Sequence, residues 1–297
     1  MSGWQRELAA LGELRADEPL ARHVTLGVGG PARWFFRPAD RAALVAAMRL
    51  APADVPILPL GRGSNLLPPD EGFPGLVLDM GELANLRVAG REIEAEAGVR
   101  MGRLARAAAE AGLAGLEFMA TVPGDVGGGV AMNAGAFGQE VADTLQWAEV
   151  VLRGGETRRL DARELDMGYR RARLPDGALV MAAGFALTSD APEAIRERMR
   201  SMRQRRGATQ PLAQPNCGSV FKNPDGDYAA RLIEAAGLKG LCIGGARISE
   251  VHANFIVNEG GATSADVRAL IARAQAEVAA RFGVRLEPEV RILEGRS

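Results

Sequence analysis

The sequence predicts a mixed α+β protein whose chain is divided into two parts. The first hundred residues show strand and helix patterns in the order β-α-β-loop-β, which is typical of a small mixed α/β unit. The composition shifts near Ser189, where a basic helical segment and a proline-rich connector follow. Beyond this connector, helix and strand patterns alternate to the end of the chain. The 297 residues suffice for two domains, or for one large domain with an insertion.

Composition excludes several classes of protein. Lys and Arg (36) nearly balance Asp and Glu (37), so no basic excess points to nucleic acid, and no apolar run is long enough to span a bilayer. The N-terminus lacks the basic start and apolar core of a secretory signal. Two cysteines and two histidines are too few for a disulfide framework or for a Cys-rich or His-rich metal site. We therefore expect a cytoplasmic, metal-free monomer that binds neither nucleic acid nor membrane.

Apolar spacing and breaker residues place the elements of the N-terminal part. Residues 1–22 have the pattern of a short amphipathic helical segment. One further helix is predicted where Asp40 can cap the first turn, and another where Gly112 ends a run with one apolar face. The predicted strands are Trp34–Arg37, Val55–Leu60, Gly75–Met80 and Glu92–Gly98, and the predicted helices are Arg41–Leu50 and Arg100–Gly112.

The C-terminal part gives clearer signals. Thr263 and Asp266 have the spacing of a capping box at the start of a long helix, which ends at Phe282 because Gly283 follows. Its apolar residues recur at helical spacing and predict a buried face, formed by Val267, Leu270, Ile271, Ala274 and Val278. The other predicted helices are Asp190–Arg206 and Tyr228–Ala236, and the predicted strands are Trp147–Arg153, Ala178–Leu187, Ala253–Asn258 and 284–293.

Two glycine-bearing stretches stand out, the glycine-rich segment Gly115–Gly138 and the glycine loop Gly61–Leu67. The segment holds seven glycines, which disfavour a regular helix, and it is too apolar for a flexible linker. It is either a set of structural turns or an ordered loop whose amides bind an anion such as phosphate. Neither stretch fits the dinucleotide fingerprint or the phosphate loop that ends in Gly-Lys-Ser/Thr. Two amide nests that face one gap suit a diphosphate better than a single phosphate.

Few side chains indicate catalysis by position alone. Glu289 lies on the polar face of an alternating strand pattern, which favours a solvated face. Arg170 lies among several arginines and is, taken alone, typical of a surface charge. No histidine lies close in sequence to Ser219 to activate it as a nucleophile. Cys217 is either a reactive thiol or, as is more common, a small buried residue.

Seven motifs occur together in one order along the chain. They are VTLGVGGPA, LGRGSNLL, GLEF with VPGDVGGGVAMNAGAFG, GYRRA, GSVFKNP, HANFIVN and LEPEVRI. Each is weak alone, whereas the ordered set is specific. From about His23 to the C-terminus, the chain resembles the UDP-N-acetylenolpyruvoylglucosamine reductases, flavoenzymes of peptidoglycan synthesis. The resemblance is to the branch that lacks an extra substrate-binding loop, since Gly226–Leu241 is short.

The resemblance implies an FAD-binding fold of the vanillyl-alcohol oxidase (PCMH) type in two α/β subdomains, followed by a C-terminal α+β substrate domain. The implied boundaries are an N-terminal helical segment at 1–22, the FAD-binding domain at 23–189 and the substrate domain at 190–297. The two subdomains are expected at about 23–85 and 86–189.

The resemblance also implies a reaction in two stages. NADPH reduces a non-covalently bound FAD, and UDP-N-acetylenolpyruvoylglucosamine then takes the place of NADP. Hydride passes to the terminal vinyl carbon, and negative charge develops toward the carboxylate. Carried over by motif, Arg170 and Glu289 flank that carboxylate, and Ser219 donates the proton to the α-carbon.

Binding residues are carried over in the same way. Tyr169, Lys222 and Asn223 are expected at the substrate, with Lys222 and Asn223 near its UDP-sugar end. The residues expected to bind FAD are Gly61, Arg62, Gly63, Ser64, Asn65, Leu66, Thr121, Val122, Pro123, Gly124, Gly127, Gly128, Asn133 and Gly135.

Two features leave alternatives open. The basic helix Arg196–Arg206 is either a solvated face or a group of charges that approaches the substrate diphosphate. His23 replaces a residue that is often asparagine in the family, and it is the one residue near the glycine loops that could anchor a flavin covalently. Such an anchor would favour a related FAD-dependent oxidase of a sugar or an alcohol over the reductase.

Overall fold

The structure is a computed structural model that describes residues 3–295. The chain forms two compact units that do not follow its order. The first unit holds the described residues up to Ala16, Trp34–Arg62 and Gly75–Arg205, and the second holds Asp17–Arg33, Gly63–Pro74 and the described residues from Arg206 onward. The predicted domain boundary near Ser189 stays a prediction, because a compact unit need not be an independently folding domain.

Helices and strands alternate along the whole described chain. The helices are α1 (Gly3–Ala9), α2 (Arg41–Leu50), α3 (Met101–Glu110), α4 (Val126–Ala131), α5 (Pro192–Thr209), α6 (Ala229–Ala235) and α7 (Ser264–Phe282). The strands are β1 (Gly12–Pro19), β2 (Pro31–Pro38), β3 (Ile57–Leu60), β4 (Leu66–Leu67), β5 (Phe73–Asp79), β6 (Leu86–Ala89), β7 (Glu92–Glu96), β8 (Leu113–Ala114), β9 (Gly135–Ala136), β10 (Gln139–Glu140), β11 (Leu145–Val151), β12 (Thr157–Asp161), β13 (Leu179–Ala186), β14 (Thr188–Ser189), β15 (Asn216–Ser219), β16 (Cys242–Ile243), β17 (Ala246–Ile248), β18 (Phe255–Asn258) and β19 (Arg291–Ile292).

The first unit is built on two larger sheets. One has the strand order β1-β2-β5-β3, with β3 and β5 parallel, and β1, β2 and β5 each also include residues of the second unit. The other is antiparallel and has the order β12-β11-β13-β7-β6. Helix α4 packs against β13 and β7. Large buried side chains fill the core of this unit, among them Phe36, Leu104, Phe118, Val150 and Phe185.

The second unit contains an antiparallel sheet with the order β15-β18-β17-β16. Helix α7 packs against β16 and β17, and α6 packs against α7. A separate parallel pair joins β4 to β19, with Leu66 opposite Arg291. The face of α7 that the sequence predicts as core is buried in full, which places this helix at the centre of the unit's core.

Helix ends agree closely with the sequence. Helix α2 has the predicted bounds, and the side chain of Asp40 accepts a hydrogen bond of 2.8 Å from Ala43 N–H. At α7 both bonds of the capping box are present, between Thr263 and Asp266, and Gly283 ends the helix with φ +68°. These local signals succeed because each depends on residues within one helical turn.

Several strand predictions are wrong or incomplete. The described part of the segment 1–22 is α-helical only over α1, with one 3-10 turn at Leu20–Arg22, because Gly12–Pro19 pairs as an edge strand whose charged residues resemble an amphipathic helix. In the predicted strand 284–293, only β19 forms, since Pro288 has no N–H to donate to a ladder. The prediction also missed β6 and β12, which are mostly exposed edge strands, and the short strands β15, β16 and β17.

The glycine-rich segment contains a helix, contrary to the prediction. Helix α4 has the sequence VGGGVA, and its glycines let it lie close to neighbouring backbone. A Cβ atom on Gly127 would lie 2.8 Å from Ala97 Cβ, and one on Gly129 would lie 3.0 Å from Met101 Sδ. The free energy gained from this close packing therefore outweighs the low helix propensity of the glycines in α4.

Membrane-spanning helices and clustered metal ligands are both absent from the described residues. Across residues 3–295, no helix has the length and apolar character needed to cross a membrane. Within the same range, no group of three or more His, Cys, Asp or Glu side chains is placed to hold a metal ion.

We predict that Gly127→Ala lowers the free energy of unfolding by about 1–3 kcal/mol, because the new methyl group must overlap Ala97. Gly102 is the matched control, since it has the same second position in α3 and nothing lies within 4 Å of an added Cβ. Gly102→Ala is expected to leave stability unchanged or to raise it by up to about 1 kcal/mol. Chemical denaturation of the flavin-free variants measures both, and equal effects would contradict the packing argument.

Candidate functional site

In the first unit, the start of the glycine loop meets the glycine-rich segment at Asp125. A Cβ atom on Gly61 would lie 2.5 Å from Asp125 Oδ2, so a larger residue does not fit. The Asp125 carboxylate accepts a hydrogen bond from the backbone N–H of Arg62. Its Oδ1 atom is buried and has no hydrogen-bond partner among the described residues. Two stretches far apart in sequence therefore come together around one buried carboxyl group.

The charge of this carboxyl group depends on its surroundings. Burial raises the pKa of Asp125 from 3.8 to about 6, although the positive charges of Arg62 and Arg100 act against the rise. The negative charge of Asp79 adds to it. A phosphate group beside Asp125 is expected to favour the protonated form further, because two negative charges repel.

The amides of the glycine-rich segment divide into two sets. Val126 N–H donates to Val99 O and Gly127 N–H donates to Ala97 O, both at 2.9 Å, so these amides hold the segment in place rather than face a ligand. Gly124 has φ +117°, a conformation that side chains rarely adopt. Gly128 is exposed, and nothing lies within 4 Å of an added Cβ there. The open part of the segment therefore lies at Gly128, whereas Gly124 is half-buried.

The side chains just before α4 differ in exposure. Thr121 is buried, and its hydroxyl donates to Phe118 O at 2.7 Å. Val122 and Pro123 line a cavity of about 300 Å³ together with Arg62. Four of the residues predicted to bind FAD therefore line one cavity: Arg62, Val122, Pro123 and Gly124.

The end of the glycine-rich segment positions Arg170. Asn133 is fully buried with φ +42°, and its amide group donates to Gly168 O at 3.0 Å. Arg170 itself has φ +54°, and its guanidinium donates to Gly135 O at 3.1 Å. The guanidinium also lies over the ring of Tyr169, 5.0 Å from its centroid, and Tyr169 is half exposed. Arg170 is thus an oriented side chain and not a loose surface charge.

In the second unit, the rest of the glycine loop is fixed by local contacts. A Cβ atom on Gly63 would lie 2.5 Å from His23 O, and Gly63 has φ +59°. Thr25 N–H donates to Gly63 O at 3.3 Å. His23 Nε2 lies 2.8 Å from Glu18 Oε1, so the candidate covalent anchor is engaged by a carboxylate. Leu66, expected at FAD, is buried in β4 instead of exposed to a ligand.

The second unit also brings Ser64, Asn65, Ser219 and Glu289 into one neighbourhood. Asn65 Nδ2 donates to Glu289 O at 3.1 Å, and Glu289 N–H donates to Val220 O at 2.8 Å, next to Ser219. A Cβ atom on the preceding Gly218 would lie 3.8 Å from Ser64 O. Hydrogen bonds therefore join the glycine loop to the LEPEV motif through the Asn65 side chain, and the LEPEV motif to the GSVFKNP motif through the backbone.

Lys222 and Asn223 already have partners in the protein. Lys222 Nζ pairs with Glu287 Oε1 at 2.5 Å, and its backbone N–H donates to Glu287 O at 2.9 Å. The side chain of Asn223 accepts from Ala229 N–H at 3.1 Å, which satisfies an amide at the start of α6.

Burial raises the pKa of the Cys217 thiol to about 12, so a reactive thiolate at this position is excluded at neutral pH.

Most arginines of the basic helix are exposed, which agrees with the interpretation of a solvated face. Arg196 and Arg200 pair with glutamates of their own helix, and Arg198 pairs with Glu117 and Asp190. Arg203 differs, since it lines the cavity at Arg62.

Comparison with known proteins gives the family. Residues 210–293 match the family described as UDP-N-acetylenolpyruvoylglucosamine reductase, C-terminal domain, and residues 32–161 match the family described as FAD binding domain. A UDP-N-acetylenolpyruvoylglucosamine reductase of Alkalilimnicola ehrlichii is 50% identical over 95% of this chain and 95% of its own. The chain belongs to the UDP-N-acetylenolpyruvoylglucosamine reductase family. The reductase of Geobacter sulfurreducens is 46% identical over 96% of each chain.

Solved structures agree with this family. The UDP-N-acetylenolpyruvylglucosamine reductase of Thermus caldophilus has a TM-score of 0.82 and 37% identity, over 95% of this chain and 99% of its own. Phl p 4.0202, a glucose dehydrogenase, has a TM-score of 0.50 and 17% identity, over 64% of this chain and 45% of its own, which shows a shared fold alone. The predicted α+β fold class and the predicted FAD cofactor are confirmed.

The residues of the first unit fit the diphosphate of FAD. Gly128 leaves backbone open, and Arg62 and Arg100 supply positive charge. The sequence shows an acid at Asp125, between Gly124 and Val126, but its burial is visible only in the structure. Its unpartnered Oδ1 is an atom that a ligand hydrogen bond can satisfy once one partner is protonated.

We predict that Asp125→Asn stabilises the protein in a pH-dependent way. The folded chain keeps the Asp125 proton up to about pH 6, whereas the unfolded chain releases it near 3.8, so stability falls as pH rises between these values. Asparagine is neutral throughout and is expected to raise the free energy of unfolding by about 1 kcal/mol at pH 7, and by less at pH 4. Denaturant titrations of the flavin-free proteins at both pH values measure this difference, and an equal effect at both would contradict it.

Proposed function

We propose that the chain reduces the enolpyruvyl group of UDP-N-acetylenolpyruvoylglucosamine to UDP-N-acetylmuramate, with NADPH as the reductant, for peptidoglycan precursor synthesis. The observation that carries this proposal is identity of 46–50% to reductases of that name over 95–96% of the chain. The extent of these alignments matters because they include both the FAD-binding region and the C-terminal region of the chain. We further propose that the protein acts in the cytoplasm as a monomer, without binding nucleic acid or membrane.

Residues of the two glycine stretches are the candidates to hold FAD. In the first unit, Gly128 supports this assignment through open space beside its backbone, and Arg62 supports it through positive charge. Gly61 and Gly124 are proposed on the motifs alone. Ser64 and Asn65 are the corresponding polar side chains of the second unit. When bound, FAD supplies the transfer of hydride from NADPH to the vinyl carbon of the substrate.

Three side chains are proposed to act in the reduction, by flanking the substrate carboxylate where negative charge develops and by donating a proton. The guanidinium of Arg170, oriented by Gly135 O, is proposed to stabilise negative charge that develops toward the substrate carboxylate. Glu289 is proposed to flank the same carboxylate. Ser219 is proposed to donate a proton to the α-carbon, which is a strong base at that point of the reaction.

The remaining assignments concern substrate binding and domain organisation. Tyr169, Lys222 and Asn223 are proposed to contact the substrate, and the ion pair of Lys222 with Glu287 then has to open or rearrange. The FAD-binding domain is proposed to span 23–189 and the substrate domain 190–297. The match of 210–293 to the reductase C-terminal family supports the second of these.

We predict that the two half-reactions can be followed separately without oxygen. NADPH is expected to reduce the visible absorbance of the flavin, and later addition of UDP-N-acetylenolpyruvoylglucosamine is expected to restore it. UDP-N-acetylglucosamine is the matched control, since it lacks the reducible enolpyruvyl group. If both sugar nucleotides restore the flavin absorbance, or if neither does, the proposed function is overturned.

We predict that Ser219→Ala slows the second half-reaction by about 100-fold or more, the usual scale for loss of a general acid. Reduction of FAD by NADPH is expected to keep its rate, since that step needs no proton on the sugar. Ser201→Ala, at an exposed position of α5, is the control and is expected to change neither rate. Stopped-flow absorbance measures both steps. If Ser219→Ala slows both equally, the assignment of Ser219 is wrong.

A further inference from the structure

A buried asparagine of the second unit binds the chain just after Ser219. Asn254 is 4% exposed and directly precedes β18. Its side-chain oxygen accepts a hydrogen bond of 2.9 Å from Phe221 N–H, and its side-chain nitrogen donates to Phe221 O at 2.8 Å. Its backbone oxygen accepts from Val220 N–H, also at 2.9 Å. Asn254 therefore binds three backbone groups within the two positions that follow Ser219.

These bonds begin where regular strand pairing ends. Ser219 is the last residue of β15 and lies opposite Phe255 of β18, and the register is irregular between Asn216 and Ser219. Beyond this point the N–H and C=O groups of Phe221 take their partners from the Asn254 side chain and not from the backbone of a neighbouring strand. Buried backbone groups without a partner are unfavourable, and an amide side chain offers a donor and an acceptor side by side.

Asn254 is itself held in one orientation. Only one assignment of its amide group satisfies both bonds, because Phe221 N–H needs an acceptor and Phe221 O needs a donor. The backbone N–H of Asn254 donates to His252 Nδ1 at 3.3 Å. Burial lowers the pKa of His252, and the neutral ring keeps a nitrogen that can accept this bond. The position of the Asn254 amide is therefore set by contacts at both ends of the residue.

The backbone that Asn254 binds separates an accessible side chain from the protein interior. Val220 and Phe221 are buried, whereas Ser219 is only half-buried. On the other side of this segment, Val220 O accepts a hydrogen bond of 2.8 Å from Glu289 N–H. Ser219 thus comes directly before two residues that are fixed by Asn254 and by the LEPEV motif.

We propose that Asn254 is a positioning residue for the reduction, which fixes the backbone after Ser219 and thereby the position of Ser219 Oγ. The inference rests on the proposed function, because that function assigns proton donation to Ser219. Proton transfer to carbon requires a donor that is aligned with the acceptor, and a displacement of about 1 Å can slow such a step by about 100-fold. In this role Asn254 acts through Ser219 and not by contact with the substrate.

The test compares the two half-reactions in Asn254→Leu, which keeps a branched side chain but removes both of its bonds to Phe221. Stopped-flow absorbance of the holoenzyme measures reduction of FAD by NADPH and its reoxidation by UDP-N-acetylenolpyruvoylglucosamine. We expect reoxidation to slow by about 10-fold to 100-fold, while FAD reduction keeps its rate. Asn254→Asp keeps an acceptor for Phe221 N–H and is the second variant, with the same step expected to slow. Ile256→Val, at a buried position of β18, is the control for lost packing and is expected to change neither rate.

A double variant separates positioning from a general structural role. In Ser219→Ala the proton donor is already absent, so adding Asn254→Leu is expected to slow reoxidation much less than it does in the wild-type protein. The inference is overturned if the two effects multiply, if both half-reactions slow equally, if both Asn254 variants leave reoxidation unchanged, or if neither variant folds. In each of these cases the proposed function stands as long as the wild-type protein turns over. If the sugar nucleotide does not reoxidise the flavin of the wild-type protein, the proposed function itself fails.

Discussion

The close approach of the glycine-rich segment to the backbone at Ala97 and Val99, just after β7, is the constraint on which the first unit depends. Val126 N–H and Gly127 N–H donate to Val99 O and Ala97 O, and only a residue without a Cβ fits at Gly127. These bonds hold the start of α4 against the backbone that follows β7. The same chain then continues to Asn133 and Gly135, whose contacts orient the turn that contains Arg170. Packing therefore links the proposed cofactor loop to a proposed catalytic side chain.

The burial of Asp125 is a second constraint on the first unit, because it places a carboxyl group near the positive charges of Arg62 and Arg100. One of its oxygens accepts a hydrogen bond from the Arg62 amide and the other has no partner in the described residues, and burial raises the pKa of this carboxyl group to about 6. The positive charges of Arg62 and Arg100 act against that rise. In the second unit, a backbone hydrogen bond joins Glu289 to Val220, and the Asn65 side chain donates to Glu289 O.

Much of the fold could be predicted from the sequence where signals are local. The bounds of α2, the capping box of α7 and its buried face all depend on residues a few positions apart. Edge strands such as β1 and β12 could not be predicted in this way, because few of their residues are buried and they show no apolar alternation. The helix at the glycines of α4 depends on contacts with Ala97 and Met101, which lie outside the glycine-rich segment. Motif order gave the family and the candidate residues, whereas the role of Asn133 in holding the turn of Arg170 needed the structure.

The central claim is that the glycine stretches hold the cofactor while Arg170, Ser219 and Glu289 carry out the chemistry. A crystal structure of the protein with FAD and UDP-N-acetylenolpyruvoylglucosamine tests it most directly. The FAD diphosphate is expected within hydrogen-bond distance, about 2.7–3.2 Å, of backbone amides in Gly61–Asn65 and at Gly124 or Gly128. The enolpyruvyl carboxylate is expected to contact Arg170, and Ser219 Oγ is expected to be the nearest proton donor to the α-carbon. A diphosphate away from both glycine stretches, or an enolpyruvyl group remote from Arg170 and Ser219, would contradict the account.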